Sequence, residues 1–562
     1  MQPRPLRRLH GLVLLLCLHG AAAGELRLDA PEDIRALLTP WLDAQATSPR
    51  RLQTAASDML ATEGYFSPRF QFEETDGALH LTLDPGPRTR IDSLALTVDG
   101  PVSPETRAAL EAEWRLPVGQ PFRQADWNAA KQQVLAELLA EEHADARLLD
   151  SQAEIDAERQ QAHLRAHYDA GPRYRFGPLR IEGLTRYDPA LVARYNRSVN
   201  PDAPYRERDL ADLLTALQGT PYFASVQAEL LTAESETLDA DTRRAPVLVR
   251  LRERQPHRLA LGGGFSSNTG ARVEGNVHTA DLFGQAWELD TGLRLEQKRQ
   301  TAYGDIFLPP DAKQRRHSLG LMGERSDIQN LQTERLAFGV QQVQQRGSIE
   351  QRLSLQWQRE RREPADAEMV ISRALVPNAM WTWRHVDSLL EPRQGQVLQM
   401  QVGGGSKAAG SDQNFVRLHG RVQQYFSLGT HTVLALRGEL GRTYADNRLH
   451  IPQDYLFRTG GTGSVRGYAY QSLGIREGNA VVGGRYLAVG SAELTHWLDE
   501  QWGIAAFIDA GDAVDRLSDA RLAVGYGLGA RWRSPAGPLG VDLAYGERTG
   551  KVQLHFALSI PF

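Results

Sequence analysis

The C-terminal stretch Val552-Gln-Leu-His-Phe-Ala-Leu-Ser-Ile-Pro-Phe562 places Val552, Leu554, Phe556, Leu558, Ile560 and Phe562 on one side. Gln553, His555, Ala557, Ser559 and Pro561 fall on the other. A period of two is the signature of a β-strand, and the apolar side must meet something apolar. Leu434, Leu436, Gly438 and Leu440 repeat the pattern, as do Leu353, Leu355 and Trp357. From His257 to the end, about sixteen such segments of roughly ten residues follow one another, divided by Gly, Pro, Asp and Asn. An even number of strands at this length suits an outer-membrane β-barrel. Trp287, Trp357, Trp381, Trp383, Trp497, Trp502, Trp532 and Tyr545 are expected near segment ends, where aromatic rings suit the two membrane interfaces. A soluble all-β fold leaves those aromatics unexplained, whereas closing the sheet removes its edges.

Upstream the periodicity is different. Pro-Gly-Pro-Arg at 85–88, Gly-Pro-Arg at 171–173 and Gln-Pro-His-Arg at 255–258 mark the ends of a unit whose prolines, Pro87, Pro172 and Pro256, are 85 and 84 residues apart. Each interval holds two helical patterns and alternating strands, the mark of a repeated α+β domain. Ile34, Leu37, Leu38 and Trp41 follow helical spacing in the first, Trp127, Val134, Leu135 and Leu138 in the second, and Leu210, Leu213, Leu214 and Leu217 in the third. Gly64-Tyr65-Phe66 and Pro221-Tyr222-Phe223 both follow a second helix, and the aromatic pair is expected to pack that helix on its sheet. The division predicted is therefore 24–87, 88–172 and 173–255 for three repeats and 256–562 for the barrel.

The N-terminus carries Arg4, Arg7 and Arg8, the apolar run 11–18 and then Ala21-Ala22-Ala23, which reads as a secretory signal peptide over residues 1–23. The run is shorter than the roughly 18 residues a spanning helix needs. Cys17 is the single cysteine, so a disulfide framework or thiolate metal site in the exported chain is excluded. The formal charge of −5 becomes −8 without the three arginines, which disfavours nucleic acid as a partner. No catalytic, metal-binding or cofactor-binding residues are predicted. Gly525-Tyr-Gly-Leu-Gly-Ala530 fits a dinucleotide-binding pattern by letter but sits in an alternating strand and opens no helix.

One segment, about 445–484, is far longer than a hairpin turn and contains Thr459-Gly-Gly-Thr-Gly-Ser-Val-Arg-Gly-Tyr-Ala-Tyr470. Its glycines permit tight backbone conformations, and Arg466 and Tyr468 are held out from them. In the strand that follows, alternation puts Phe507, Asp509 and Gly511 on the lumen side, and Glu493 on the strand before is expected to point the same way. An inward fold of the loop would pair Arg466 with Asp509 and Glu493.

Val465-Arg466-Gly467-Tyr468 resembles the loop-six motif of the BamA-type outer-membrane assembly superfamily. Phe507-Ile-Asp509-Ala-Gly511 resembles its Phe-x-Asp-x-Gly strand motif, and Gly490-Ser-Ala-Glu493 its Gly-x-x-Glu. The repeats resemble the POTRA domains that precede that barrel. Three repeats, with Arg466-Gly-Tyr-Ala-Tyr-Gln-Ser-Leu-Gly474 and Ala488-Val-Gly-Ser-Ala-Glu-Leu494, most resemble the TamA-type branch. That resemblance implies an insertase in the outer membrane with its repeats in the periplasm. Its clients would be unfolded outer-membrane proteins, autotransporters among them, beside outer-membrane lipid and a TamB-like inner-membrane-anchored partner. A two-partner secretion transporter and a passive pore are the alternatives.

The barrel must close between its first strand, near Leu259 to Phe265, and its last. Gly262, Gly263 and Gly264 offer little packing, and Pro561 has no amide hydrogen. A short, weak ladder is expected at this lateral seam, which also involves Phe556 and Phe562.

Overall fold

The computed structural model describes residues 26–42, 48–75, 78–534 and 537–558. The predicted leader, Cys17, Pro561 and Phe562 lie outside them. The chain packs as two compact units. The first comprises Met1–Arg180, Ser198–Asp212 and Ala228–Val249, and the second Ile181–Arg197, Leu213–Gln227 and Arg250–Phe562.

In the first unit, helices Glu32–Leu42 and Pro49–Thr62 accompany a three-stranded sheet. Leu26–Asp29 runs parallel to the central Ala78–Asp84, and Arg69–Thr75 antiparallel to it. The same plan recurs with helices Pro104–Ala112 and Gln124–Ala140. There Arg90–Asp99 lies parallel to the central Gln161–Asp169, and Arg147–Asp156 antiparallel. Ser48 and Ser103 cap their helices by accepting the amide of the third residue on, and Pro follows each cap, where its missing N–H costs nothing. Leu52, Ala56 and Leu60 bury one face of their helix; Trp127, Ala130, Val134 and Leu138 do so in the second. A third α+β stretch contributes to both units: helices Pro189–Tyr195 and Glu207–Gln218, with strands Arg173–Glu182, Phe223–Leu230 and Thr242–Glu253.

The aromatic pairs reach further than the sequence suggested. Tyr65 packs on the first core, but Phe66 packs on the second, with its ring 5.9 Å from that of Phe122. Glu63 fastens the same junction by pairing with Arg88 and Arg123. In the second unit Tyr222 is fully buried and donates to the carbonyl of Ala286, in the turn between the second and third barrel strands. Each pair thus links its own domain to the next one, because the segment after the second helix already lies at the domain boundary.

Within the third α+β stretch, Glu253 holds the turn after Arg173–Glu182 by accepting the amides of Thr185, Arg186 and Tyr187 at 2.9, 2.8 and 3.1 Å. Burial alone would raise its pKa, but these donors outweigh it and hold the carboxyl at about 2. A depressed carboxylate pKa contributes stability that is complete above the ordinary value of 4.5 and is lost as pH falls towards about 2. Glu253→Gln is therefore expected to destabilise this turn at neutral pH and to flatten its pH dependence over that window, as read by amide hydrogen exchange at Thr185 to Tyr187.

The barrel is one sheet of sixteen strands in sequential order, running from His257–Ser266 to Lys551–Leu558. Neighbours are antiparallel throughout. No helix among the described residues is long and apolar enough to cross a membrane. Outward residues such as Leu261, Leu440 and Leu528 are exposed, while inward ones such as Asp509 are buried. Trp287 and Trp502 open strands and Trp497 closes one, as expected, but Trp357 sits mid-strand in Ile349–Pro364.

The seam differs from expectation. Among the described residues the first strand pairs with the second and the last with the fifteenth, and no ladder joins first to last. Ser267, in the turn just after the first strand, places its Oγ 3.3 Å from the amide and 3.4 Å from the carbonyl of Phe556 on the last. Gly262, Gly263 and Gly264 pair with Glu274, Val273 and Arg272 of the second strand alone. A glycine run supplies no side chains to hold a further neighbour, so among the described residues even the weak ladder anticipated from sequence is not formed.

Candidate functional site: the loop folded into the barrel

The eleventh strand ends at Tyr444 and the twelfth begins at Tyr486. The chain between them turns into the lumen. Gly460, Gly461 and Gly467 have φ values of 103°, 104° and 90°, the left-handed region that a residue with Cβ resists. Close approach adds a second constraint. A Cβ on Gly525 would stand 1.8 Å from the Arg466 carbonyl, and one on Gly467 2.8 Å from the amide nitrogen of Gly546. Glycines on both sides therefore let loop and wall meet backbone to backbone.

That approach delivers Arg466 to the carboxylates. Its Nε donates to Asp509 Oδ2 at 2.7 Å and Nη2 to Oδ1 at 3.0 Å, the two-pronged arrangement, while its own amide donates to Oδ2 at 3.0 Å. Nη1 reaches Glu493 at 2.6 Å and Asp542 at 3.1 Å. The guanidinium lies 3.4 Å from the centre of the Phe507 ring, a cation–π contact in a site where Arg466 is 5% and Asp509 0% exposed. Strand register explains the convergence. Ser491 and Glu493 stand opposite Asp509 and Phe507, so all four share the lumen side, and the Ser491 hydroxyl donates to Asp509 at 2.6 Å.

The other motif residues complete the fit. Val465 is fully buried against Tyr468, Val489 and Ala513, and its methyl occupies the space that a Cβ on Gly511 would need. The Gly467 amide donates to His555 Nε2 at 2.9 Å. The Tyr468 hydroxyl donates to the Val524 carbonyl at 2.9 Å and accepts the Arg548 amide at 3.0 Å. Val465, Arg466, Gly467, Tyr468, Glu493, Phe507, Asp509 and Gly511 thus meet in one place. Gly262, Gly263, Gly264 and Phe556 lie on the seam strands.

Four participants escaped the sequence reading. Asp542 bridges Arg466 and Arg531, and Arg531 in turn holds Glu493 at 2.8 Å. His555, opposite Asp542, receives the loop backbone, and Arg437 donates to the carbonyls of Gly463 and Ser464. Alternation offered a signal for two of them, since Asp542 is a lone carboxylate between apolar Val541 and Leu543, and His555 stands between Leu554 and Phe556. The loop is tied to the far wall as well. Glu477 pairs with Arg362 at 3.1 Å, and the Tyr470 carbonyl accepts Gln329 Nε2 at 2.9 Å. It consequently spans the lumen. The site is an electrostatic clamp on a backbone.

A lumen-spanning loop held by a buried arginine, in a sixteen-stranded barrel that follows a POTRA-like region, defines the class as a POTRA-preceded outer-membrane β-barrel. The Omp85 superfamily domain matches residues 281–562, and the chain belongs to that superfamily. It is 25% identical over 396 residues to the outer membrane protein assembly factor BamA of Nitratidesulfovibrio vulgaris. That match covers 65% of this chain and 47% of the relative, so the chain spans about half the length of that protein. The crystal structure of BamA from Haemophilus ducreyi lacking POTRA domains 1–3 superposes with a TM-score of 0.70 at 16% identity, covering 83% of this chain and 98% of that one. CdiB from Acinetobacter baumannii gives a TM-score of 0.46 at 14% identity, with 94% and 98% covered.

Proposed function

We propose that this protein is an outer-membrane insertase of the TamA type, which assists the assembly of autotransporters and other β-barrel clients and works with a TamB-like inner-membrane-anchored partner. The observation that carries this reading is the open seam. Backbone polar groups left unpaired at a strand edge within a bilayer cost several kcal/mol each, and a β-strand supplied by another chain would satisfy them. On this reading the first strand offers its free edge to a client strand, which exchanges one set of backbone hydrogen bonds for another on entering the membrane. The resemblance to the assembly factor from Nitratidesulfovibrio vulgaris and the periplasmic α+β repeats support the same role. No covalent step and no cofactor are required.

Photocrosslinking tests it. Leu261, 79% exposed on the first strand, can be replaced by a photoreactive residue in the full-length protein. Illumination during client synthesis is expected to capture unfolded outer-membrane proteins at position 261 and not at Leu321, which is also exposed but lies mid-sheet. Capture of lipid alone at both positions would overturn the insertase reading.

A further inference from the structure

The outer face of the barrel carries a second feature, well away from the seam. Across strands nine to thirteen, Met400, Gly420, Leu440, Ala488 and Asp512 lie side by side in register. Gly420 and Ala488 leave that row shallow between the larger side chains. The connection after the thirteenth strand lays Leu522 beside it, closing a groove of about 640 Å³. A volume of this size accommodates a small-molecule ligand. Leu440 remains 68% exposed in it.

The adjoining register row supplies a cation. Leu418, Arg442 and Tyr486 are opposite one another, and the Arg442 guanidinium lies 3.9 Å from the centre of the Tyr444 ring and 5.2 Å from that of Tyr486. No carboxylate among the described residues pairs with it. Asp512, the acidic member of the groove, is already committed: it accepts the amides of Ala513 and Arg521 at 3.0 Å each and pairs with Arg548 at 3.3 Å. The groove therefore presents one uncompensated positive charge, fixed by two aromatic rings, at the edge of an apolar cleft.

Position determines what can meet it. The first strand begins at the periplasmic side, where the repeats precede it, and successive strands alternate in direction. Tyr444, Tyr486 and the connection after strand thirteen hence lie at the extracellular end, facing the outer leaflet. We propose that this groove is a binding site for an outer-leaflet lipid with a phosphorylated sugar headgroup, lipid A in chemical class, with an acyl chain along Met400, Leu440 and Leu522 and a phosphate on Arg442. Apolar side chains and a fixed guanidinium match the two halves of such a molecule, and aromatic rings at headgroup depth are where the polar and apolar halves meet. The assignment rests on the outer-membrane location and is independent of the insertase reading.

Native mass spectrometry of the full-length protein, released from detergent after addition of lipid A or of phosphatidylglycerol, tests it. A Cβ on Gly420 would find no atom closer than the Gln399 carbonyl at 4.0 Å, so Gly420→Leu fills the groove without a backbone clash. The wild-type protein is expected to retain lipid A in preference to phosphatidylglycerol. Arg442→Gln is expected to lower that retention about fivefold, the contribution of one cation near an anionic lipid surface. Gly420→Leu should lower it with Arg442 intact. Heat-modifiable migration on a gel verifies that each variant has folded. Equal retention of lipid A in wild type and both variants would overturn the site, as would no retention by the wild type. Phosphatidylglycerol bound as tightly as lipid A would overturn the assigned headgroup.

Discussion

Replacement of Arg466 by alanine is expected to free the loop between Tyr444 and Tyr486 from the wall while leaving the sixteen-stranded sheet intact. The guanidinium satisfies Asp509 through two prongs and also reaches Glu493 and Asp542. Asp509 is wholly buried, so the truncation leaves a carboxylate that water cannot solvate. Breaking a buried pair in this way costs about 3–5 kcal/mol. Arg531 still holds Glu493 and Asp542, so the damage centres on Asp509 and on the loop it anchors. Limited proteolysis should show cleavage between residues 445 and 485 in Arg466→Ala, with reduced client assembly and unchanged heat-modifiability. Asp509→Ala should behave similarly. The double variant should be milder than the sum of the two, because it leaves no buried charge without a partner. Arg466→Lys keeps the charge but not the two-pronged geometry and should fall between wild type and alanine. Protease resistance and client assembly equal to wild type in both alanine variants would show that the contact is not a latch.

A disulfide across the seam is expected to have the larger functional effect. Ser267 and Phe556 already meet through one side chain and one backbone, which makes Ser267→Cys with Phe556→Cys the natural pair. Bridging requires their Cα atoms to come within about 7 Å. Cys17 is the only native cysteine and belongs to the predicted leader, so the mature protein would offer no competing thiol. If clients enter by pairing with the first strand, oxidation should abolish assembly and reduction should restore it. The single-cysteine proteins should be active under both conditions. Full client assembly in a fully oxidised pair would sink lateral entry while leaving the barrel, the repeats and the clamp as described.

The amino-acid sequence determined by itself whatever depends on local period and on residue chemistry. A period of two over segments such as 552–558 is a property of consecutive residues, and it dictates strands with one apolar side wherever they pack. The sixteen strands were legible for that reason, and so was the change from helical spacing near residue 257. Arg466, Glu493 and Asp509 were legible too, because alternation assigns a lumen side and an arginine in a glycine frame seeks a carboxylate.

Only the tertiary structure decided which distant strands meet at a given height. Asp542 and His555 join Arg466 and Gly467 because pairing register across the last strands brings them level with the loop, and register is a relation between strands rather than a property of either. The forward reach of Phe66 and Tyr222 likewise depends on where one domain ends against the next. The seam is the clearest case. Whether strands 289 residues apart form a ladder depends on how the whole sheet curls, and three glycines in a row cannot encode that from one side alone.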